Sequence, residues 1–253
     1  MSDDATPRAI IFDLDKTLAE SKAAMTPAMG ALLAKLLARM PVAIISGAKF
    51  SQFQEQVLPF IPVHLYTQLY LIPTSGAALY HFENGSWKTL YEETIEHSEA
   101  DRISSLLEET ARSTKILTGN EPSLGTRIEF RGSQVTFSAL GQSAPLLEKE
   151  QWDPDKSKRL QLRSALIPLL PDYEIALGGS TSIDVVRRGI NKAYGVKKLE
   201  TFLGIPVTHM LYVGDDLQEG GNDAIVKTTG IRTYDVNNPT DTAQLIERMV
   251  SDF

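Results

Sequence analysis

Ala9-Ile10-Ile11-Phe12-Asp13-Leu14-Asp15 is a short apolar, β-branched run that stops in two carboxylates. It reads as a fully buried strand feeding a functional loop, because a strand covered on both faces is hydrophobic throughout and shows no alternation. Downstream, Thr26 and Pro27 supply an N-cap and a first-turn signal. Leu32, Leu33, Leu36, Leu37 and Met40 then form one apolar stripe of helical period, stopped by Pro41. Residues 42–45 read as a second buried strand. Strand, helix and strand joined by short turns make the βαβ unit of a parallel sheet, whose ligands gather beyond the carboxyl ends of the strands. Asp13, Asp15 and Ser46 all fall at such ends.

The middle of the chain has a different pattern. Ser98, with Asp101 three residues on, opens a helix carrying Ile103, Leu106, Leu107 and Thr110. Residues 126–130 and 134–140 follow as strands joined by the turn Arg131, Gly132, Ser133. Asp153 and Pro154 start a second helix with Leu162, Leu166 and Leu169 inward, and residues 173–177 and 182–186 are strands separated by Gly178-Gly179. Helix, strand, strand thus occurs twice, which suits an antiparallel sheet with helices on one face. The expectation is an α+β module over residues 91–187, inserted into a parallel α/β domain made of residues 1–90 and 188–253. After the insertion the first pattern returns. Residues 192–203 form a helix with Val196, Leu199 and Phe202 at helical spacing, closed by Gly204 and Pro206, and residues 210–213 a strand ending in Gly214-Asp215. A strand over 231–236 and a helix with Leu245, Ile246 and Met249 complete the domain.

Composition narrows the chemistry. The 253 residues carry 25 Lys and Arg against 32 Asp and Glu, a net charge of −7, which argues against a binder of nucleic acid, whose affinity comes mostly from neutralising phosphates. There is no cysteine, so disulfides, thiolate metal sites and cysteine nucleophiles are all excluded. Any metal is held by oxygen or imidazole. The start, MSDDATPR, is acidic, and no apolar run approaches a membrane span, so a soluble, cytoplasmic protein is expected.

Asp13 and Asp15 lie two apart at a strand end, so both carboxylates point to one side while Leu14 turns into the core. Two close carboxylates repel, and they are tolerated where a divalent cation or a shared proton compensates them. Oxygen ligands suit Mg²⁺, which takes one or two carboxylates together with substrate phosphate and water. One aspartate can then accept a phosphoryl group while the other protonates the leaving oxygen. Three further groups arrive at loop ends in order. Ser46-Gly47 offers a hydroxyl and close amides to a phosphoryl group, Lys192 offers a fixed positive charge, and Gly214-Asp215 with Gly220-Gly221-Asn222-Asp223 offers further oxygens.

FDLDKTLAES (12–21), IISGA (44–48), GINKAYGV (189–196) and VGDDLQEGGND (213–223) resemble the four motifs of the haloacid-dehalogenase-like (HAD) phosphohydrolase superfamily. The insertion resembles its type IIB cap, which implies a Rossmann-like parallel-sheet core with an inserted α+β cap. The resemblance sharpens toward eukaryotic-type phosphomannomutases in GTRIEFRGSQVTFSALGQ (125–142) and SIDVVRRGINK (182–192). It implies Mg²⁺ as cofactor, Asp13 as nucleophile and Mg²⁺ ligand, Asp15 as acid/base with its carbonyl on the metal, and Asp215 as a further ligand. Asn222 and Asp223 would reach the metal directly or through water, and Ser46 and Lys192 would hold the phosphoryl group.

A mutase must grip the phosphate that is not reacting, and that family does so with arginines, whose planar forks hold phosphate bidentately. This chain retains Arg131 but has Lys22, Gln142 and Lys149 where the pattern places other arginines. Ser182 and Asp184 match sugar-contact positions. The reading therefore expects a Mg²⁺-dependent phosphohydrolase acting on a small phosphorylated metabolite, a sugar phosphate, through an aspartyl-phosphate. Its alternative is a phosphomannomutase with a modified phosphate clamp. A receiver domain needs only about 120 residues and no insertion, and a catalytically silent sugar-phosphate binder need not keep Asp13, Asp15, Lys192 and Asp215 together. No nucleic-acid or membrane partner is expected, and the protein is expected as a monomer or a cap-mediated homodimer.

Overall fold

The computed structural model describes residues 6–118 and 123–251. In chain order its elements are β1 (Ala9–Asp13), α1 (Pro27–Leu37), β2 (Val42–Ile45), α2 (Phe50–Gln56), β3 (Leu69–Ile72), β4 (Ala78–Glu83) and β5 (Ser86–Glu92). Next come α3 (His97–Ser113), β6 (Ile128–Phe130), β7 (Val135–Ser138), α4 (Leu146–Trp152), α5 (Ser157–Leu166), β8 (Tyr173–Leu177) and β9 (Ser182–Arg187). The chain ends with α6 (Lys192–Leu203), β10 (Met210–Gly214), β11 (Arg232–Asp235) and α7 (Pro239–Ser251). Two compact units result, one of Met1–Glu92 with Asn191–Phe253, the other of Glu93–Ile190.

The first unit is a seven-stranded sheet in the order β11-β10-β1-β2-β3-β4-β5. The five strands from β11 to β3 run parallel, and β4 and β5 close one edge as an antiparallel hairpin. Strand β1 is central and buried on both faces. Ile10 and Phe12 pack with Leu33, Leu36 and Leu37 of α1, Phe53 of α2 and Ile246 of α7, whereas Ala9 and Ile11 pack with Val196 and Leu199 of α6. Asp13 continues the parity of Ala9 and Ile11, the face covered by α6, whose first residue is Lys192. The capping signals act as read: Thr26 Oγ1 accepts the Met29 amide at 3.1 Å, and Gly204 closes α6 in the left-handed conformation. Residues 69–92 carry no chemical motif, and the sequence reading passed over β3, β4 and β5.

The second unit is a four-stranded antiparallel sheet, β6-β7-β9-β8. Val135, Phe137, Ile183, Val185 and Ile175 face Ile103 and Leu107 of α3 and Leu162 and Leu166 of α5 in one core. The alternate residues Thr136, Ser138, Ser182 and Asp184 form a polar face that is nonetheless buried. Four local expectations are corrected. The first helix is capped at Glu96, so Ser98 lies inside it. The second starts at Ser157, because Lys156 turns left-handed at φ 62°, and Asp153 instead reaches forward to accept the amides of Lys158 and Arg159 at 2.9 and 3.2 Å. Leu169, expected inward, is exposed because the chain leaves α5 through a 3-10 turn containing Pro168, and Phe202 on α6 is exposed as well. Helix α4 was not foreseen, since its leucines, Leu146 and Leu147, point outward and give no inward stripe.

Candidate active site

Register builds the site. Asp13 is the last residue of β1 and pairs with Ile45, while Phe12 pairs with Val213 of β10. Ser46 and Asp215 therefore leave the two neighbouring strands beside Asp13, at the carboxyl edge of the parallel sheet. Lys192 opens α6 above this edge, where Asn191 caps the helix by accepting the Tyr194 amide at 3.1 Å.

Lys192 is only 2% exposed, and its Nζ donates to Asp13 Oδ1 at 2.7 Å and to Asp223 Oδ1 at 2.6 Å. Carboxylate oxygens of Asp13, Asp215 and Asp223 all lie within 4.8 Å of one another. Three carboxylates thus face one ammonium, and the cluster is short of positive charge. Burial pushes the Asp13 carboxyl well above its ordinary range, with Lys192 opposing and Asp223 adding to the shift. Burial and Asp223 raise Asp215 to about 6. Burial alone would discharge Lys192, but Asp13 and Asp223 outweigh it and hold the ammonium above the usual lysine range. All three groups are thus held toward their protonated forms: burial, helped by neighbouring anions, does so at Asp13 and Asp215, and two anions outweigh burial at Lys192. A hard divalent cation fits this donor set, which is oxygen-only, converging and under-neutralised. Asp13, Asp215 and Asp223 are the side chains that could hold it.

Two supports surround the cluster. Gly214 lies against Asp223, where any Cβ would overlap Oδ2. Asp216 staples the following loop: its carbonyl accepts the Asp223 amide at 3.0 Å, its Oδ2 accepts the Asn222 amide at 2.8 Å, and its amide lies 3.4 Å from Asp223 Oδ2. The second support is the corner Thr74–Gly76, whose three residues all have positive φ, 50°, 57° and 100°. The Ser75 amide donates to the Ser46 carbonyl at 2.9 Å and the Thr74 amide to the Ala48 carbonyl at 3.0 Å. Ser46 itself is buried, and its Oγ accepts the Ala48 amide at 3.1 Å. Gly76 meets the Asn191 carbonyl so closely that a Cβ would overlap it, so one strained corner bears on both the Ser46 loop and the start of α6.

Not every expected residue joins this group. The Asp15 carboxylate, half-buried, accepts the Lys22 amide at 2.5 Å, so Lys22 meets Asp15 through its backbone. Asn222 is exposed. In the second unit Asp184 accepts from Thr136 Oγ1 at 2.8 Å, and Ser182 shares its face of β9. The Arg131 guanidinium pairs with Glu129 at 2.8 Å, and Lys149 Nζ donates to the Gln142 carbonyl at 2.7 Å. Sequence reading missed Tyr212, Asp216 and the Thr74–Gly76 corner. Pro73-Thr74-Ser75-Gly76 is a cluster of turn residues after an apolar run, the one signal that pointed to the corner.

The parallel sheet with a buried aspartate and lysine at its carboxyl edge has the architecture of the haloacid-dehalogenase class of phosphotransferases. Solved structures agree at the level of fold. C-terminally truncated Plasmodium falciparum IMP-nucleotidase superposes with a TM-score of 0.69 at 16% identity, over 98% of this chain and 72% of that one. Aspergillus fumigatus trehalose-6-phosphate phosphatase gives 0.56 at 17% identity, over 97% and 93%. The family profile of eukaryotic phosphomannomutase matches residues 29–252, and the chain belongs to that family. Similar relatives include the phosphomannomutase of Encephalitozoon cuniculi, 26% identical over 252 residues, with 94% of this chain and 91% of that protein covered. Phosphomannomutase 1 of Mus musculus is 26% identical over 244 residues, covering 92% and 88%. No helix among the described residues is long and apolar enough to cross a membrane.

Proposed function

We propose that this protein is a Mg²⁺-dependent hexose-phosphate mutase that works through an aspartyl-phosphate at Asp13. The observation that carries this reading is the extent of the family match, which runs through the inserted unit with Arg131, Ser182 and Asp184 as well as through the core. Asp13 Oδ attacks one phosphorus of a hexose bisphosphate, the bond from that phosphorus to the sugar oxygen breaks, and Asp15 gives the oxygen its proton, leaving a hexose monophosphate held by its other phosphate. In the return step Asp15 removes the proton of another sugar hydroxyl, which takes the phosphoryl group from Asp13. Lys192, and the amides around Ser46, balance charge on the equatorial oxygens. Mg²⁺ would be held by Asp13, Asp215, Asp223 and the Asp15 carbonyl, with Asn222 beside them, and would supply the neutralisation that lets an anionic nucleophile meet an anionic ester. Arg131, Ser182 and Asp184, with Lys22, Gln142 and Lys149, are the proposed substrate-recognition residues.

Hydrolysis of a sugar phosphate is the second reading. The neutral Gln142 at a family arginine position favours it, because a weaker grip on the non-reacting phosphate lets the product leave before the return step. The two are separated by incubating the protein with mannose 1-phosphate, Mg²⁺ and a hexose bisphosphate. Formation of mannose 6-phosphate faster than inorganic phosphate is the expected result. Phosphate outpacing the isomer makes the protein a phosphatase, and neither product from mannose or glucose phosphates removes the hexose-phosphate reading.

A further inference from the structure

Tyr212 belongs to no motif, yet its hydroxyl lies inside the charged cluster. The residue sits on β10, wholly buried, and its hydroxyl donates to Asp223 Oδ1 at 2.6 Å. Lys192 Nζ donates to that same oxygen, also at 2.6 Å. A carboxylate oxygen accepting two short bonds has both lone pairs engaged. Among the described residues Oδ2 has the 3.4 Å approach of the Asp216 amide and lies close against Gly214, with no room there for a Cβ. Asp223 therefore presents its two oxygens unequally.

We propose that Tyr212 is a positioning residue that sets which cation the site prefers, by holding Asp223 so that it can offer a cation one oxygen. The consequence follows from coordination chemistry. Ca²⁺ takes six to eight oxygens and accepts carboxylates through both of them, whereas Mg²⁺ requires near-octahedral geometry with single-oxygen ligands. A carboxylate with Oδ1 engaged suits Mg²⁺ and denies Ca²⁺ its two-oxygen mode. Groups that orient metal ligands affect affinity by about 10–100-fold. The inference rests on the proposed Mg²⁺ site and adds to it a source of selectivity.

Tyr212→Phe keeps the volume of the ring and removes one oxygen. Calorimetric titration of the metal-free wild type and variant, with Mg²⁺ and separately with Ca²⁺, reads the effect without turnover. The expected result is weaker Mg²⁺ binding with Ca²⁺ binding unchanged or tighter, so that the Mg²⁺-to-Ca²⁺ preference falls by about tenfold. A preference equal in the two proteins overturns the proposal, including when both cations bind the variant equally more weakly, which is what a merely structural role produces. A wild type that binds neither cation overturns the Mg²⁺ reading, and the proposal with it. Should the variant not fold, wild-type protein carrying ¹³Cζ-tyrosine decides: a Tyr212 resonance that moves on Mg²⁺ saturation supports the proposal, and one that stays overturns it.

Discussion

Lys192 shows how much of this site depends on a single side chain. Its ammonium joins Asp13, the proposed nucleophile, to Asp223, and without it two buried carboxylates face each other uncompensated. Lys192→Met should cost about 3–5 kcal/mol of stability, as expected when one partner of a buried pair is removed. It should also lower kcat by about 10²–10³-fold, the usual loss for a group that stabilises developing charge. Urea unfolding and steady-state kinetics check the two losses separately; a variant with normal turnover removes Lys192 from the chemistry. Asp215 adds a pH dependence whose sign is fixed. Its carboxyl is raised to about 6, against about 3.9 in an unfolded chain, so between those values the folded, metal-free protein holds the extra proton. Stability without metal should fall as pH rises through that window, and Asp13, also raised, acts in the same direction. A divalent cation relieves the repulsion, so the gain in Tm from Mg²⁺ over EDTA should grow from pH 4 to pH 7. A gain that is flat across that range argues against the acidic cluster as the metal's seat. At this scale Asp13, Asp215, Asp223 and Lys192 were legible in the sequence, because charged residues at strand and helix ends stand out. Tyr212 was not, since in Met210–Gly214 it reads as an ordinary core aromatic.

Among the elements, the corner after β3 holds more than its length suggests. Thr74 and Ser75 have left-handed backbone, uncommon for residues with a side chain and rarer still for a β-branched one. Strain of this kind persists where surrounding contacts enforce it, and here two amides grip the Ser46 loop while Gly76 backs onto Asn191 at the start of α6. Gly76→Ala adds a Cβ both to a φ of +100° and to the space held by the Asn191 carbonyl. The expected cost is about 2–4 kcal/mol, with kcat reduced because Lys192 follows Asn191 directly. Ala at Gly85, also at positive φ but with open space around it, should cost less and leave kcat alone. Equal kinetic effects from the two would detach the corner from the site. Elements were legible where the apolar period and a cap agreed, as in α1 and α6. Two of the hidden elements bury little, since β5 alternates among half-exposed and exposed residues and α4 buries little besides Lys149, whereas β3 was passed over although its four residues are apolar and mostly buried.

For the whole molecule, the net charge of −7 requires that phosphate be met by local positive charge, and the two units carry it differently. The core unit holds Lys192 within its acidic cluster. In the inserted unit Arg131 is paired with Glu129, and Lys149 reaches the carbonyl of Gln142, a neutral residue proposed to stand in place of a phosphate-binding arginine. Fold and family were legible because motifs mark strand ends. The balance between transfer and hydrolysis was not, because it depends on how long a second phosphate is held, a small difference in free energy that no spacing records. Gln142→Arg tests that balance. Restoring the bidentate fork should strengthen the hold on a non-reacting phosphate by about 1.4 kcal/mol or more, a tenfold longer residence. With mannose 1-phosphate and a bisphosphate, the ratio of isomerised sugar phosphate to released phosphate should then rise several-fold. Turnover of a small aryl phosphate, which has no second group to hold, should change less than twofold, since Asp13, Asp15 and Lys192 are untouched. A fall in both activities together would mean that Arg disturbs the unit itself. An unchanged ratio would show that the grip on the second phosphate does not pass through this position, leaving Arg131 as the arginine proposed for that role.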